Sequence, residues 1–89
     1  MKAIITVIGH DKVGIIYKVS GILAEAKINI LDISQTIMQD MFTMIMLVDI
    51  KDSSYSMEEI TKKLDEAGNE LGVSIKIQHQ DVFNSMHRI

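Results

Sequence analysis

No cysteine occurs anywhere in the chain, which excludes disulfides, thiolate metal ligands and thiol nucleophiles. That absence suits a reducing cytoplasm. Aromatic residues are scarce at 4% of 89 residues while hydrophobic residues reach 47%, so aliphatic side chains and seven methionines must do the packing. Methionine fills irregular gaps but also recurs on adaptable binding surfaces, and composition does not choose between those uses. An excess of positive charge is missing too. The net charge is −3 and only Lys62 and Lys63 are adjacent, so the basic patch of a nucleic-acid-binding surface is not expected. No stretch approaches the roughly 18–20 consecutive apolar residues of a membrane span. The N-terminal run stops at Gly9, without the longer apolar stretch and cleavage site of a secretory signal. The expectation is a cytoplasmic protein that binds neither nucleic acid nor membrane. A chain of this length holds one domain, burying about 60–65% of its unfolded surface.

What is present alternates between two periods. Residues 2–8 read as a strand rich in β-branched side chains, ended by Gly9-His10-Asp11. Ile15, Val19, Ile22 and Ala26 then recur at helical spacing, with Ile16 and Leu23 widening the stripe and Asp11 as the expected N-cap. Two further strands, 28–38 and 41–50, are separated by Gln39-Asp40, a hairpin break that lacks the favoured Asn-Gly or Asp-Gly. In the second of these, Phe42, Met44, Met46, Val48 and Ile50 share one face, while Ile45 and Leu47 make the other face apolar as well. A strand apolar on both sides implies cover on both, and self-association would supply it. Met38, Met41, Met44 and Met46 fit core and hairpin packing, or a protein-binding surface.

Ser56-Met57-Glu58-Glu59 matches a capping box, opening a helix with Ile60, Leu64, Ala67 and Leu71 on one face and Gly72 as its C-terminal cap. The last strand, 73–80, points Val73, Ile75 and Ile77 inward and Ser74, Lys76 and Gln78 outward, with His79 half-buried at its end. Residues 81–89 place Val82, Met86 and Ile89 at helical spacing; so short a helix holds only if docked, and a frayed tail is the alternative. The order βαββαβ implies an α+β, ferredoxin-like sandwich: a four-stranded antiparallel sheet with two helices on one face, plus a short C-terminal helix.

Catalytic constellations are not found. The three histidines, His10, His79 and His87, lack zinc-enzyme spacing, so no metal site is expected, and no serine sits in a nucleophile elbow. Residues 9–14 lack both the Lys-Ser/Thr end of a phosphate loop and the third glycine of a dinucleotide fingerprint, and no cofactor is expected. The one chemically interesting spot is the turn from first strand to first helix. Early helix amides point outward with partial positive charge, and Gly14 would let a ligand or a neighbouring backbone come close; relief of crowding against the sheet is the alternative.

This turn also carries a resemblance. Ile5-Thr6-Val7-Ile8-Gly9-His10-Asp11-Lys12-Val13-Gly14-Ile15 resembles the first strand and Asp-x-x-Gly-Ile/Leu turn of ACT domains, and Asn29-Ile30 resembles the Asn-Ile that opens their second strand. The likeness covers nearly all of residues 1–80, leaving 81–89 as a helical extension. The first third is also similar to the ACT domains of formyltetrahydrofolate deformylases and glycine-cleavage regulators, and the whole to free-standing bacterial and archaeal ACT proteins. The resemblance implies a non-catalytic module that forms homodimers, binds a small effector such as an amino acid, and modulates a separate protein. Carried over by position, His10, Asp11, Lys12, Val13, Gly14 and Ile15 would form the ligand turn, and Asn29 and Ile30 would close the pocket from the strand. Two departures stand out: Val13 replaces a frequent proline, and Ala26-Lys27-Ile28 replaces the glycine that usually precedes Asn-Ile. The alternative is a dimerisation or protein-binding module without a ligand.

Overall fold

The computed structural model describes residues 1–10 and 13–86, with backbone alone at Phe83, Ser85 and Met86. Asp11, Lys12 and residues 87–89 lie outside the described residues. The elements run β1 (Lys2–His10), α1 (Ile15–Glu25), β2 (Asn29–Met38), β3 (Met41–Asp49), α2 (Met57–Leu71), β4 (Val73–His79) and α3 (Gln80–Met86). The strands form one antiparallel sheet in the order β2-β3-β1-β4, so the two central strands are not consecutive in sequence and α1 and α2 are crossovers. This is the ferredoxin-like βαββαβ sandwich that the periodicities imply.

One face of the sheet is dry. Ala3, Ile5 and Val7 on β1, with Phe42, Met44, Met46 and Val48 on β3 and Ile75 on β4, pack against Ile15, Val19 and Leu23 of α1 and Ile60, Leu64 and Ala67 of α2. Met44 and Met46 are therefore core residues, while Met38 and Met41 are exposed at the hairpin. Ile16, expected to widen the buried stripe of α1, faces outward instead. On the other face Ile8, Met41 and Ile45 are partly open, whereas Ile4 is buried, and α3 packs against β1 and β4. Of the apolar positions expected on the C-terminal helix, Val82 is exposed; Met86 and Ile89 fall outside the described side chains.

Local chemistry sets the boundaries. The capping box forms: Glu59 N–H donates to Ser56 Oγ at 3.2 Å, and Ser56 N–H donates to Glu59 Oε1 at 3.1 Å. Gly72 closes α2 as a left-handed cap. Lys27, at φ 60, turns the chain out of α1 where glycine is usual, with Ile28 N–H donating to the Leu23 carbonyl at 2.9 Å. Gln39 at φ 59 does the same for the β2–β3 hairpin. β1 continues past the expected stop at Gly9, which pairs with Phe42 on one side and Val73 on the other. A Cβ at Gly9 would lie 2.5 Å from Val73 Cγ1, so glycine there permits the close approach rather than ending the strand. No described helix is long and apolar enough to cross a membrane.

Candidate functional site

The first helix starts later than Asp11 would make it. Its N-cap is Gly14, at φ 96 and ψ −1, a left-handed conformation that glycine adopts at little cost. The Lys18 amide then donates to the Gly14 carbonyl at 2.9 Å, the first helical bond. Gly14 has no side chain with which to cap, so none satisfies the leading amides of the helix from that position. A Cβ added at Gly14 would meet nothing within 4 Å. Crowding against the sheet is therefore not what glycine relieves here; the backbone angle is.

The expected site residues divide into two groups. Val13 is fully exposed beside Gly14, whereas Ile15 is 2% exposed and belongs to the core, leaving only its amide to face a ligand. His10 ends β1 and turns toward the hairpin, its Nδ1 lying 3.3 Å from Asp40 Oδ2, with both side chains exposed. Asp11 and Lys12 lie outside the described residues. Asn29, exposed, and Ile30, half-buried, sit far from His10. Asn29 pairs with Asp49, which pairs with Lys2, whereas His10 pairs with Met41, which pairs with Met38. The two groups thus occupy opposite ends of the sheet, about 25 Å apart at the usual rise of a strand. One copy of the chain does not bring them together.

A groove of about 590 Å³ lies elsewhere, between the C-terminal half of α2 and β4, lined by Asp65, Asn69, Ser74 and Lys76. Among the described residues, the groups whose titration is displaced lie away from the Gly14 turn. The Lys51 amide hydrogen bond holds the Asp49 carboxyl below its ordinary value, and the hydrogen bond to Glu25 pushes the Tyr55 hydroxyl up. No cluster of three or more histidine, aspartate and glutamate side chains able to hold a metal ion occurs among the described residues.

β2 is the element left least covered. Every residue of this ten-residue strand except Ile30 is exposed, and its outer edge has no neighbour. It carries no lysine or proline, the usual guards of an edge, and its one charge is Asp32. The other edge, β4, is shorter, carries Lys76, and packs under α2. A bulge between Ile30 and Asp32 sets Ile33, Gln35 and Ile37 opposite Met46, Met44 and Phe42, on the helix side. Simple alternation from Ile30 hides this row in the sequence; the adjacent apolar pair Ile30-Leu31, which breaks period two, is its hint.

The ACT domain profile matches residues 2–78. A UPF0237 protein of Clostridium acetobutylicum is 67% identical over 89 residues, covering all of both chains. Among solved structures, an ACT domain protein from Streptococcus pneumoniae superposes with a TM-score of 0.80 at 43% identity, covering 93% of each chain. A formyltetrahydrofolate deformylase from Pseudomonas putida reaches a TM-score of 0.78 at 14% identity over 88% of this chain and 28% of that one, a likeness of fold alone. By profile, close relative and fold together, the chain belongs to the ACT domain family.

Proposed function

We propose that the protein is a non-catalytic regulatory module whose ligand site is assembled from two copies. The observation that carries this reading is the separation of the site's two halves along the sheet. When the β2 edges of two copies pair antiparallel, the Asn29 end of one lies beside the Met38 end of the other, and so close to the partner's Gly14 turn. The ligand is a small amphiphile of the amino-acid type. Its carboxylate meets the leading amides of α1, and its ammonium meets the Asn29 side-chain oxygen or a strand carbonyl. His10, Asp11, Lys12, Val13 and the Ile15 amide frame one side, and Asn29 and Ile30 the other. The unguarded edge of β2 and its exposed Ile33 and Ile37 support the pairing. Occupancy is passed on, in the cytoplasm, to a separate protein.

A thermal-shift screen of the twenty protein amino acids tests this. A compound at a hundredfold over its dissociation constant adds about 2.7 kcal/mol, which is a rise of about 10 °C or more in a domain of this size. Asn29→Ala weakens that shift without altering the fold, because Asn29 is exposed. A screen with no binder refutes the sensor reading. The exposed Met38 and Met41 favour a second reading, a protein-docking module, and that reading predicts that no metabolite shifts the melting temperature.

A further inference from the structure

Three side chains with soft or borderline donor atoms share one row at the hairpin end of the sheet. His10 of β1 pairs with Met41 of β3, and Met41 pairs with Met38 of β2. Side chains at paired positions point to the same face of a sheet. Here it is the face away from α1 and α2, because Val7, Phe42 and Met44 face the core. The row is open to solvent: Met38 is 71% and Met41 44% exposed, and the His10 side chain 70%. Met44 and Met46, one strand face away, are fully buried. Core filling thus accounts for those two methionines but not for Met38 and Met41. His10 is also oriented, with its Nδ1 3.3 Å from Asp40 Oδ2. A pair this exposed adds little to stability. Its effect is on the imidazole: in the neutral ring, an Nδ1–H that donates to the carboxylate leaves the lone pair on Nε2, the nitrogen free to bind.

We propose that His10, Met38 and Met41 form a binding site for a soft monovalent cation, Cu(I). The ligands are His10 Nε2 and the two methionine Sδ atoms, and Asp40 is the carboxylate that holds the imidazole. Thioether donors select Cu(I), whereas magnesium and calcium take oxygen. Three neutral ligands, with one carboxylate behind the histidine, balance a single positive charge better than a double one. The reach is adequate. Neighbouring strands lie about 4.8 Å apart, so the His10 and Met38 backbones stand roughly 10 Å from each other on either side of Met41. An extended histidine or methionine side chain, with a metal bond of about 2.0–2.3 Å, spans more than half that gap, so both outer ligands meet a cation held above Met41. The chain has no cysteine, and so no thiolate competes. Sequence spacing conceals the site, because only strand order brings residues 10, 38 and 41 together. One copy supplies every ligand, and the bound cation ties β1, β2 and β3 to one another at that end; the site depends neither on pairing of copies nor on the amino-acid reading.

Isothermal titration calorimetry of the full chain with Cu(I), supplied anaerobically as its acetonitrile complex in thiol-free buffer, decides it. The expected result is one Cu(I) per chain. Met38→Leu and Met41→Leu, nearly volume-conserving changes at exposed positions, and His10→Ala each raise Kd about 10-fold or more, and Asp40→Ala raises it about 10–100-fold. The control Met57→Leu, on α2, leaves Kd unchanged. Thermal melting of the metal-free variants stays at the wild-type value, which separates lost ligands from lost folding. In protein carrying carbon-13 in its methionine methyl groups, Ag(I), a redox-inert stand-in, shifts the signals of Met38 and Met41 and leaves those of Met44 and Met46 in place. Absence of one-to-one binding, binding that survives loss of both methionines, or a preference for Zn(II) over Cu(I) overturns the proposal. An amino-acid screen without a binder would refute the sensor and leave the copper site standing; a failed copper titration would remove this site and leave the sensor.

Discussion

Replacing Gly9 by alanine is the sharpest test of how β1 and β4 fit together. The new methyl carbon would lie 2.5 Å from Val73 Cγ1, 2.8 Å from Val73 Cβ and 3.0 Å from its Cα, roughly an ångström inside ordinary contact at the nearest atom. Val73 has little freedom to retreat. Its carbonyl oxygen is where a Cβ on Gly68 of α2 would come to 2.6 Å, so helix and strand already touch there backbone to backbone. Overpacking of this kind costs about 1–3 kcal/mol. For a chain of this length, 2 kcal/mol corresponds to a fall of roughly 8–16 °C in melting temperature. Val73→Gly alone loses packing and strand propensity, yet combined with Gly9→Ala it makes room for the methyl. Urea denaturation of wild type, both single variants and the double variant closes the cycle, with a coupling of about 1 kcal/mol or more expected. Additivity within about 0.5 kcal/mol, or a neutral Gly9→Ala, would refute the claim that steric contact, rather than glycine's role as a strand terminator, explains this residue.

Ser56→Ala removes the reciprocal cap of α2 and is expected to cost about 1 kcal/mol in chemical denaturation. Leu64→Ala, at a fully buried position between helix and sheet, is expected to cost about 2–5 kcal/mol by the same measurement. Lys27→Gly relieves a left-handed residue at φ 60 and is expected to raise stability by several tenths to about 1 kcal/mol, since glycine's freedom in the unfolded chain offsets part of the gain. For Asp49 the folded-state value lies below the ordinary 3.8, so its carboxylate contributes stability at neutral pH that is lost as pH falls below 3.8 through the folded value. Melting curves of wild type and Asp49→Asn should therefore differ at pH 7 and converge in strong acid.

Much of the fold is legible in the sequence because its elements obey one period each. α2 announces its start through Ser56 and Glu59 and its end through Gly72, and β4 alternates without interruption. Met44 and Met46 share a face with Phe42 and Val48, but sequence leaves a protein-binding surface open to them, and it is burial that assigns them to the core. The misreadings arise where two rules compete. Asp11 has the side chain of an N-cap, but Gly14 has the backbone freedom to set the helix entry, and conformation decides where the helix begins. Gly9 resembles a terminator because glycine lacks strand propensity, yet the contact with Val73 makes it a strand residue. Ile16 joins the buried stripe by apolar character alone, yet it stands 42% exposed on the outward side of α1. As for the site, the turn and Asn29-Ile30 are visible as motifs, but their separation is a property of topology and not of either motif. Gln35 and its isoleucine neighbours carry no signal stronger than an interrupted alternation.

That interruption at Leu31 governs which way the edge strand presents itself. Were Leu31 to pair in step, strict alternation from Ile30 would send Asp32, Ser34 and Thr36 to the side now held by Ile33, Gln35 and Ile37. Deleting Leu31 would leave both rows where they are, because the extra residue absorbs the half-step. One surplus link thus decides whether the rim of the sheet shows branched hydrocarbon or hydroxyls above the dry layer, while the central strands stay as they are.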